Sequence, residues 1–147
     1  QGVLKTLLYD LTNARKAGVV STGNATRPSI ADPVTIAPYC LRVAAGEHSP
    51  EELMARLGDG LYITELKGLH AGADAVTGDF SIESAGFMIR DGKKAEYVKS
   101  FTVAGNFYDL LKNITALANN SHLPTAMGMT AFGAPTVLVE GLSVAGK

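Results

Sequence analysis

The side chains that are most capable of chemistry are few and lie far apart along the chain. The three histidines, His48, His70 and His122, are isolated from one another, and each lies in or near a predicted loop. A metal site needs several converging ligands, and a nucleophilic site needs a base beside the nucleophile. The sequence places no such partner near any histidine. We therefore interpret each histidine as an ordinary surface or core residue and assign no catalytic residue and no metal ligand.

The single cysteine, Cys40, lies on a predicted strand beside Tyr39. A reactive thiolate needs a histidine or another electropositive group nearby, and the sequence supplies neither. The pattern predicts a buried, inert thiol. One cysteine also excludes an internal disulfide, which is typical of proteins in a reducing compartment.

Common catalytic motifs are missing from the chain. It contains no H-E-x-x-H zinc pair, no G-x-S-x-G nucleophile turn, no P-loop and no dinucleotide-binding glycine fingerprint. These gaps leave no nucleophile–base or acid–base pair from which a reaction could be assembled.

A glycine-rich segment, residues 68–81, is the part of the chain whose residue types best suit ligand binding. Glycines lack a side chain and let an extended ligand backbone come close, while threonine and aspartate can bond backbone groups. A well-formed turn leading into a strand explains the same residues, and this interpretation stays open. The binding interpretation predicts that Gly78→Val weakens peptide binding without changing thermal unfolding. The predicted substrate-binding residues are Gly68, His70, Gly72, Thr77, Gly78, Asp79 and Ser81.

Composition places the chain among ordinary globular domains. It has 147 residues, of which 46% are hydrophobic and 18% charged, and this length suits one domain. The formal net charge is −1 and no basic stripe is visible, so the sequence does not favour nucleic-acid binding. No apolar run approaches the roughly 20 residues that span a bilayer. The chain begins within an apolar stretch, which we take as a sign of a fragment of a longer protein.

Strand signals outnumber helix signals along the chain. Asp91-Gly92 between two extended runs predicts a hairpin, and Ser49 before Pro50 predicts a capped helix start. We predict one α+β domain over residues 1–147, β-rich and mainly antiparallel, with two or three packed helices. The predicted strands are 3–9, 34–43 (interrupted at Pro38), 61–66, 80–90, 94–104 and 135–144; the predicted helices are 10–18, 50–57 and 107–118, with a loop from 119 to 131.

Several short motifs, in this order and spacing, resemble the C-terminal region of the PmbA/TldD family, and the resemblance covers nearly all of the chain. The motifs are I-T-E-L-K-G-L-H (63–70), V-T-G-D-F-S (76–81), A-G-F-M-I (85–89), V-A-G-N (103–106) and S-V-A-G (143–146).

This resemblance implies a protein of the bacterial and archaeal cytoplasm, in a family also described as modulators of DNA gyrase. TldD-like members are zinc peptidases with an H-E-x-x-x-H motif, which would precede Gln1, and a cysteine ligand in the loop before the last strand. PmbA-like (TldE) members lack these ligands and pair with TldD in proteolysis of unfolded peptides. The loop 119–134 has no cysteine, so the chain resembles the PmbA branch.

The resemblance therefore implies a metal-free subunit that shapes the substrate channel and the subunit interface of a peptidase complex. Its partners would be a TldD-like subunit or a second copy in a homodimer, and an extended peptide. No cofactor is expected in this chain, and zinc would belong to the partner subunit. The alternative is a protein-interaction module of the gyrase-modulator type without a catalytic role. Whether the chain is itself an enzyme stays open, although these residues alone are not expected to be catalytic.

Overall fold

The computed structural model describes residues 3–121, 125–127 and 130–146, which fall into two compact units. The first unit comprises the described residues of 1–43 and 122–134, and the second those of 44–121 and 135–147. Helices and strands follow one another in chain order as α1 Leu11–Ala17, β1 Ala25–Thr26, β2 Thr35–Ile36, β3 Cys40–Arg42, α2 Pro50–Leu57, β4 Gly60–Lys67, α3 Leu69–Gly72, β5 Asp79–Arg90, β6 Lys93–Asn106, α4 Phe107–Lys112, β7 Ile114–Leu117, β8 Thr125–Met127, β9 Thr130–Gly133, β10 Val137–Val139 and β11 Ser143–Ala145.

In its described residues, the first unit consists of short strands and one helix. The predicted helix is confirmed as α1, where Asp10 accepts a hydrogen bond from the Asn13 N–H and Gly18 ends the helix in the left-handed region, at φ 68°. Strands β1 and β2 pair antiparallel, β3 pairs parallel with β9, and β9 pairs antiparallel with β8. The predicted interruption at Pro38 is confirmed, because β2 and β3 lie on either side of it.

Three predictions for the first unit are wrong. Residues 3–9 form no strand; instead the Tyr9 carbonyl accepts hydrogen bonds from the Ser21 and Thr22 hydroxyls, at 3.1 Å each. The predicted loop 119–131 contains β8 and part of β9, which pair with each other, and β9 also pairs with the distant strand β3. The Cys40 thiol is exposed, because β3 buries none of its three residues.

A four-stranded antiparallel sheet, in the order β11-β6-β5-β4, forms the centre of the second unit. The predicted hairpin is confirmed. Asp91 (φ 48°) and Gly92 (φ 74°) both have positive φ, as a two-residue hairpin turn of type I′ requires. Gly86 of β5 lies where β4 passes so close that a Cβ atom would overlap the backbone carbonyl of Tyr62. The predicted α+β class with mainly antiparallel sheet is confirmed.

Helix α2 covers part of this unit and begins as predicted. The Ser49 hydroxyl accepts from the Glu52 N–H at 3.1 Å, and the Glu52 carboxylate accepts from the Ser49 N–H at 2.7 Å. This reciprocal capping satisfies two N–H groups that the helix start would otherwise leave unpaired. Leu53 of α2 is buried against Ala118 and Leu138, so the helix packs onto the small sheet of β7 and β10.

The predicted helix over residues 107–118 is correct only as far as Lys112. Asn113 ends α4, and its N–H donates to the carbonyls of Asp109 and Leu110. The next four residues form β7, which pairs antiparallel with β10. Apolar residues at these positions fit a helical stripe, but the β-branched Ile114 and Thr115 favour a strand once a partner is present.

The single closing strand predicted for 135–144 is also wrong, because it forms two strands in different sheets. β10 pairs with β7 and β11 pairs with β6. Gly141, at φ 78°, makes the bend between them, and few other residues adopt that backbone conformation without strain. Among the described residues, no helix has the length and apolar character needed to traverse a bilayer.

The contact between β5 and β4 yields a stability prediction. Gly86→Ala should lower the free energy of unfolding by about 3 kcal/mol, because the added methyl group must push two backbones apart. Chemical denaturation measures the change. Ser81→Ala, at an exposed position of the same strand, should change stability by less than about 0.5 kcal/mol. Equal effects of the two substitutions would contradict the close approach of the strands.

Candidate functional site

The glycine-rich segment 68–81 folds into a short helix followed by a tight loop that leads into β5. Gly68 opens α3 in the left-handed region, at φ 70°, and its carbonyl accepts from the N–H groups of Ala71 and Gly72. Gly72 packs closely on β5, since a Cβ atom there would lie 2.6 Å from the Ser81 carbonyl oxygen. Both glycines are therefore required by the backbone path. His70 on α3 and Ser81 on β5 are exposed.

The Asp74 carboxylate organises the loop between α3 and β5. Its Oδ1 accepts from the N–H groups of Val76 at 2.7 Å and Thr77 at 3.0 Å. The Thr77 hydroxyl then accepts from the Asp79 N–H at 3.2 Å. The bonds from Thr77 and Val76, in that order of effect, hold the pKa of Asp74 below its ordinary value of 3.8, because they stabilise the ionised carboxylate.

Asn106, at the end of β6, ties this loop to helix α4. Its side-chain Nδ2 donates to the Thr77 carbonyl at 3.0 Å and to Asp79 Oδ1 at 2.8 Å, and its Oδ1 accepts from the Tyr108 N–H at 3.0 Å. Asn106 is thus the N-terminal cap of α4. Its contacts with Thr77 and Asp79 were not predicted, because these residues lie 29 and 27 positions away along the chain.

Gly78 is the most constrained residue of the loop. It is buried at φ 82°, its carbonyl accepts from the Phe107 N–H at 2.7 Å, and a Cβ atom would lie 2.7 Å from the Tyr108 ring. Any side chain here would strain the backbone and displace Tyr108. The expectation that Gly78→Val leaves thermal unfolding unchanged is therefore wrong, and this substitution cannot isolate a binding role.

A large apolar groove of about 1160 Å³ lies within the second unit, on one side of the four-stranded sheet. Residues of β4, β5, α2, α4 and β10 line it, and segment 68–81 forms part of its border. Of the seven predicted binding residues, Gly78 alone lines the groove. From the same segment, the lining residues that sequence reasoning missed are Leu69, Ala73, Asp74, Ala75 and Phe80. Nothing in the local sequence indicates that these side chains face one groove.

The charged lining of this groove is entirely acidic. Among its thirty lining residues, Glu65 and Asp74 carry charge, and none is a lysine, arginine or histidine. Lys67, close by on β4, lies 3.3 Å from Glu83 in an exposed ion pair and is not a lining residue. The lining residues themselves therefore combine apolar surface with negative charge, while the Lys94 ammonium lies 4.4 Å from the centre of the Tyr62 ring without being a lining residue.

Strand β4 is an edge of the sheet. It pairs with β5 on one side, and within the described residues no strand pairs with its other side. A bulge at Thr64, between the pairs made by Ile63 and Glu65, divides the strand. Edge strands present unpaired N–H and C=O groups, which can accept a further extended chain. This edge borders the groove, because residues 60–66 are all lining residues.

The described residues do not form a metal centre. In the part of the chain that the structure describes, no three His, Cys, Asp or Glu side chains come together in a ligand-like group. His48 lies 3.8 Å from Glu52, and this pair lacks a third ligand. His122 lies outside the described residues. A zinc ion would need three or four such ligands, so these residues do not fit one.

Comparison with known proteins places the chain among peptidase-related proteins. The profile of the family described as "PmbA/TldA metallopeptidase C-terminal domain" matches residues 1–146. The metalloprotease PmbA of Escherichia coli O157:H7 is 34% identical over 119 residues, which cover 81% of this chain and 24% of that protein. A metalloprotease TldD homologue of Haemophilus influenzae is 28% identical over 158 residues and covers 99% of this chain. The chain spans about a quarter of the length of the PmbA relatives it matches.

Solved structures of two other proteins have a fold similar to that of this chain. A Thermotoga maritima protein described as a modulator of a DNA gyrase is 40% identical, with a TM-score of 0.81 over 98% of this chain and 31% of that protein. TldE from Thermococcus kodakarensis, at 24% identity, has a TM-score of 0.83 over 99% of this chain and 32% of that one. The second likeness shows a shared fold.

Ionisation of the Asp74 carboxylate should make the stability of the folded protein depend on pH in the acidic range. The pKa of Asp74 is lowered on folding, so its stabilising effect is complete above the ordinary pKa of 3.8 and is lost as the pH falls through the lower folded value. We expect Asp74→Asn to be less stable than the parent protein at neutral pH. Chemical denaturation at a series of pH values should show this difference shrinking below pH 3.8. A difference that persists unchanged into strong acid would argue against the carboxylate's role.

Proposed function

The chain belongs to the PmbA/TldD metallopeptidase family as its C-terminal domain, and from this premise we propose that it is part of a metal-free subunit in a peptidase complex. In this proposal the domain shapes the channel in which an extended peptide lies, and it contributes to the subunit interface. The resemblance that the motifs predicted is confirmed by the family match over residues 1–146.

One observation carries the channel proposal: the open edge of β4 runs along the apolar groove. An unfolded peptide that pairs with this edge would bind by main-chain hydrogen bonds, which require no particular sequence. The same peptide would pass the border formed by Leu69, Ala73 and Ala75, within the segment that we predicted for substrate binding. The seven predicted residues would then act mainly by building the loop that borders the groove.

The chemistry of cleavage is assigned to a partner. The described residues supply no group of three zinc ligands, and the stretch 119–134 has no cysteine. A TldD-like subunit that holds zinc would supply a Lewis acid and a metal-bound water for hydrolysis of the peptide bond. This chain would bind and orient the peptide. We place the complex in the cytoplasm, as the family resemblance implies.

The first unit is our candidate for the subunit interface. Among its residues with described side chains, only Ala14 and Thr26 are buried. Large apolar side chains are instead exposed, including Val20 at 88% and Ile30 at 91%. Covering these side chains with another protein would remove apolar surface from water, which favours association. A TldD-like partner or a second copy of the chain would cover it.

Backbone pairing at β4 can be tested with N-methylated peptides. An added strand directs alternate N–H groups towards the sheet, so methylation at one set of alternate positions should abolish binding and methylation at the other set should preserve it. Fluorescence anisotropy with a labelled peptide, in the presence of a chelator that prevents turnover, measures this. Binding that tolerates both sets equally would contradict main-chain pairing.

The position of the peptide is checked by amide hydrogen exchange on the same complex. Exchange should slow in β4, residues 60–67, when the unmethylated peptide is present. The opposite edge strand, Ser143–Ala145, is the internal control and should not change. Protection at β11 without protection at β4 would place the peptide at the wrong edge for this proposal.

The interface proposal is tested at Ile30. Ile30→Glu should weaken subunit association by about tenfold or more, because it places a charge within the apolar surface that the partner covers. Sedimentation velocity on the purified protein, with any subunit that copurifies, measures association. Val76→Glu, at an equally exposed valine of the second unit (88%), is the matched control and should leave association unchanged. Unchanged association of the Ile30→Glu variant would contradict the proposal that the first unit forms the subunit interface.

A further inference from the structure

Resting on the proposed peptide channel, we infer that this domain selects cationic peptides whose apolar side chains recur at alternate positions. The inference joins three features of the second unit: the open edge of β4, the apolar lining of the groove beside it, and the acidic character of its charged lining residues. Main-chain pairing alone would bind peptides of any sequence, so the selection must come from the side chains around the edge.

The alternation follows from strand geometry. Successive side chains of an extended chain point to opposite faces of a sheet, so a peptide beside β4 directs every second side chain towards the groove. That groove is formed on the sheet face by Phe80 and Ile82 of β5 and by Val103 of β6. At the border it is apolar as well, with Leu69 and Ala75. Apolar side chains on one face of the peptide would be buried there, and polar ones would lose hydration.

The bulge at Thr64 fixes which peptide residues face the groove. A shift of one residue would reverse the two faces of the peptide, so a selective site needs a fixed register. The bulge places two residues of β4 against one of β5, and the Thr64 hydroxyl donates to the Ala85 carbonyl at 3.4 Å. A peptide strand cannot slide past this irregularity without losing hydrogen bonds.

The preference for a cation follows from the charged lining. Glu65 and Asp74 are acidic, and no basic side chain among the described lining residues offsets them. Hydrogen bonds from the N–H groups of Val76 and Thr77 hold the Asp74 carboxylate in place at the border of the groove. Glu65 is exposed on the edge strand itself, next to the path of the peptide. Lysine or arginine side chains of the peptide would complement these carboxylates, and a peptide glutamate would be repelled.

Three labelled peptides of matched length test the inference by fluorescence anisotropy, with a chelator present and with the purified protein together with any subunit that copurifies. The first alternates valine with serine and lysine. The second has the same composition with its valines adjacent, and the third replaces lysine with glutamate. We expect the first peptide to bind about tenfold more tightly than either of the others.

A second experiment reverses the charge of one residue of the protein. Glu65→Lys should reduce the preference for the lysine peptide over the glutamate peptide by about tenfold, or invert it. Glu47→Lys is the matched control, because it makes the same change in net charge at an exposed residue outside the groove lining, and should keep the preference.

The outcomes separate this inference from the proposed channel. If all three peptides bind equally, with protection of β4 in hydrogen exchange, the channel stands and the selectivity is overturned. If none binds, the channel and the selectivity both fail. Equal effects of Glu65→Lys and Glu47→Lys would mean that the preference reflects net charge alone, which also overturns the site-specific inference.

Discussion

The antiparallel ladder between β5 and β6 is the constraint on which the second unit depends. It is the longest pairing in the described residues and runs from Asp79–Asn106 at one end to Arg90–Lys93 at the other. At the turn end, the Gly92 N–H donates to the Gly58 carbonyl at 2.8 Å and so fixes the end of α2. At the open end, Asn106 gathers the loop before β5 and the start of α4. These contacts hold α2, α4 and the loop before β5 in place around the groove, and residues of all three line it.

Features with a complete local signal could be predicted from the sequence. Asp91-Gly92 specifies its turn by the backbone conformation that glycine permits, and Ser49 with Glu52 specifies a helix start through bonds within four residues. Elements defined by distant partners could not be predicted. Residues 114–117 have apolar spacing that suits a helix as well as a strand, and their pairing with β10 decides the outcome. Residues 3–9 have a strand-like composition, but they pair with no strand in the described part of the chain.

The predicted binding role of segment 68–81 stays a prediction, and of its seven named residues only Gly78 lines the groove. The segment 68–81 borders the groove, and its glycines and turn-forming residues already indicated a loop in the sequence. The individual residues differ, because sequence indicates which backbone positions need glycine but not which side chains face a common space. Glu65 illustrates the limit: it occupies an exposed strand position typical of a solvated charge, and its relevance depends on Asp74, which reaches the same groove from a different element.

An open strand edge beside an apolar groove would be a hazard in a protein without a use for it, because exposed edges promote aggregation. Strand β4 carries two features that limit this hazard. The bulge at Thr64 interrupts the regular spacing of main-chain groups, and the ion pair of Lys67 with Glu83 places charge at its end. A second flat sheet could not pair along such an edge, whereas a single flexible peptide could adapt to either side of the bulge. In the proposed function, the bulge both protects the edge and fixes the register of the peptide.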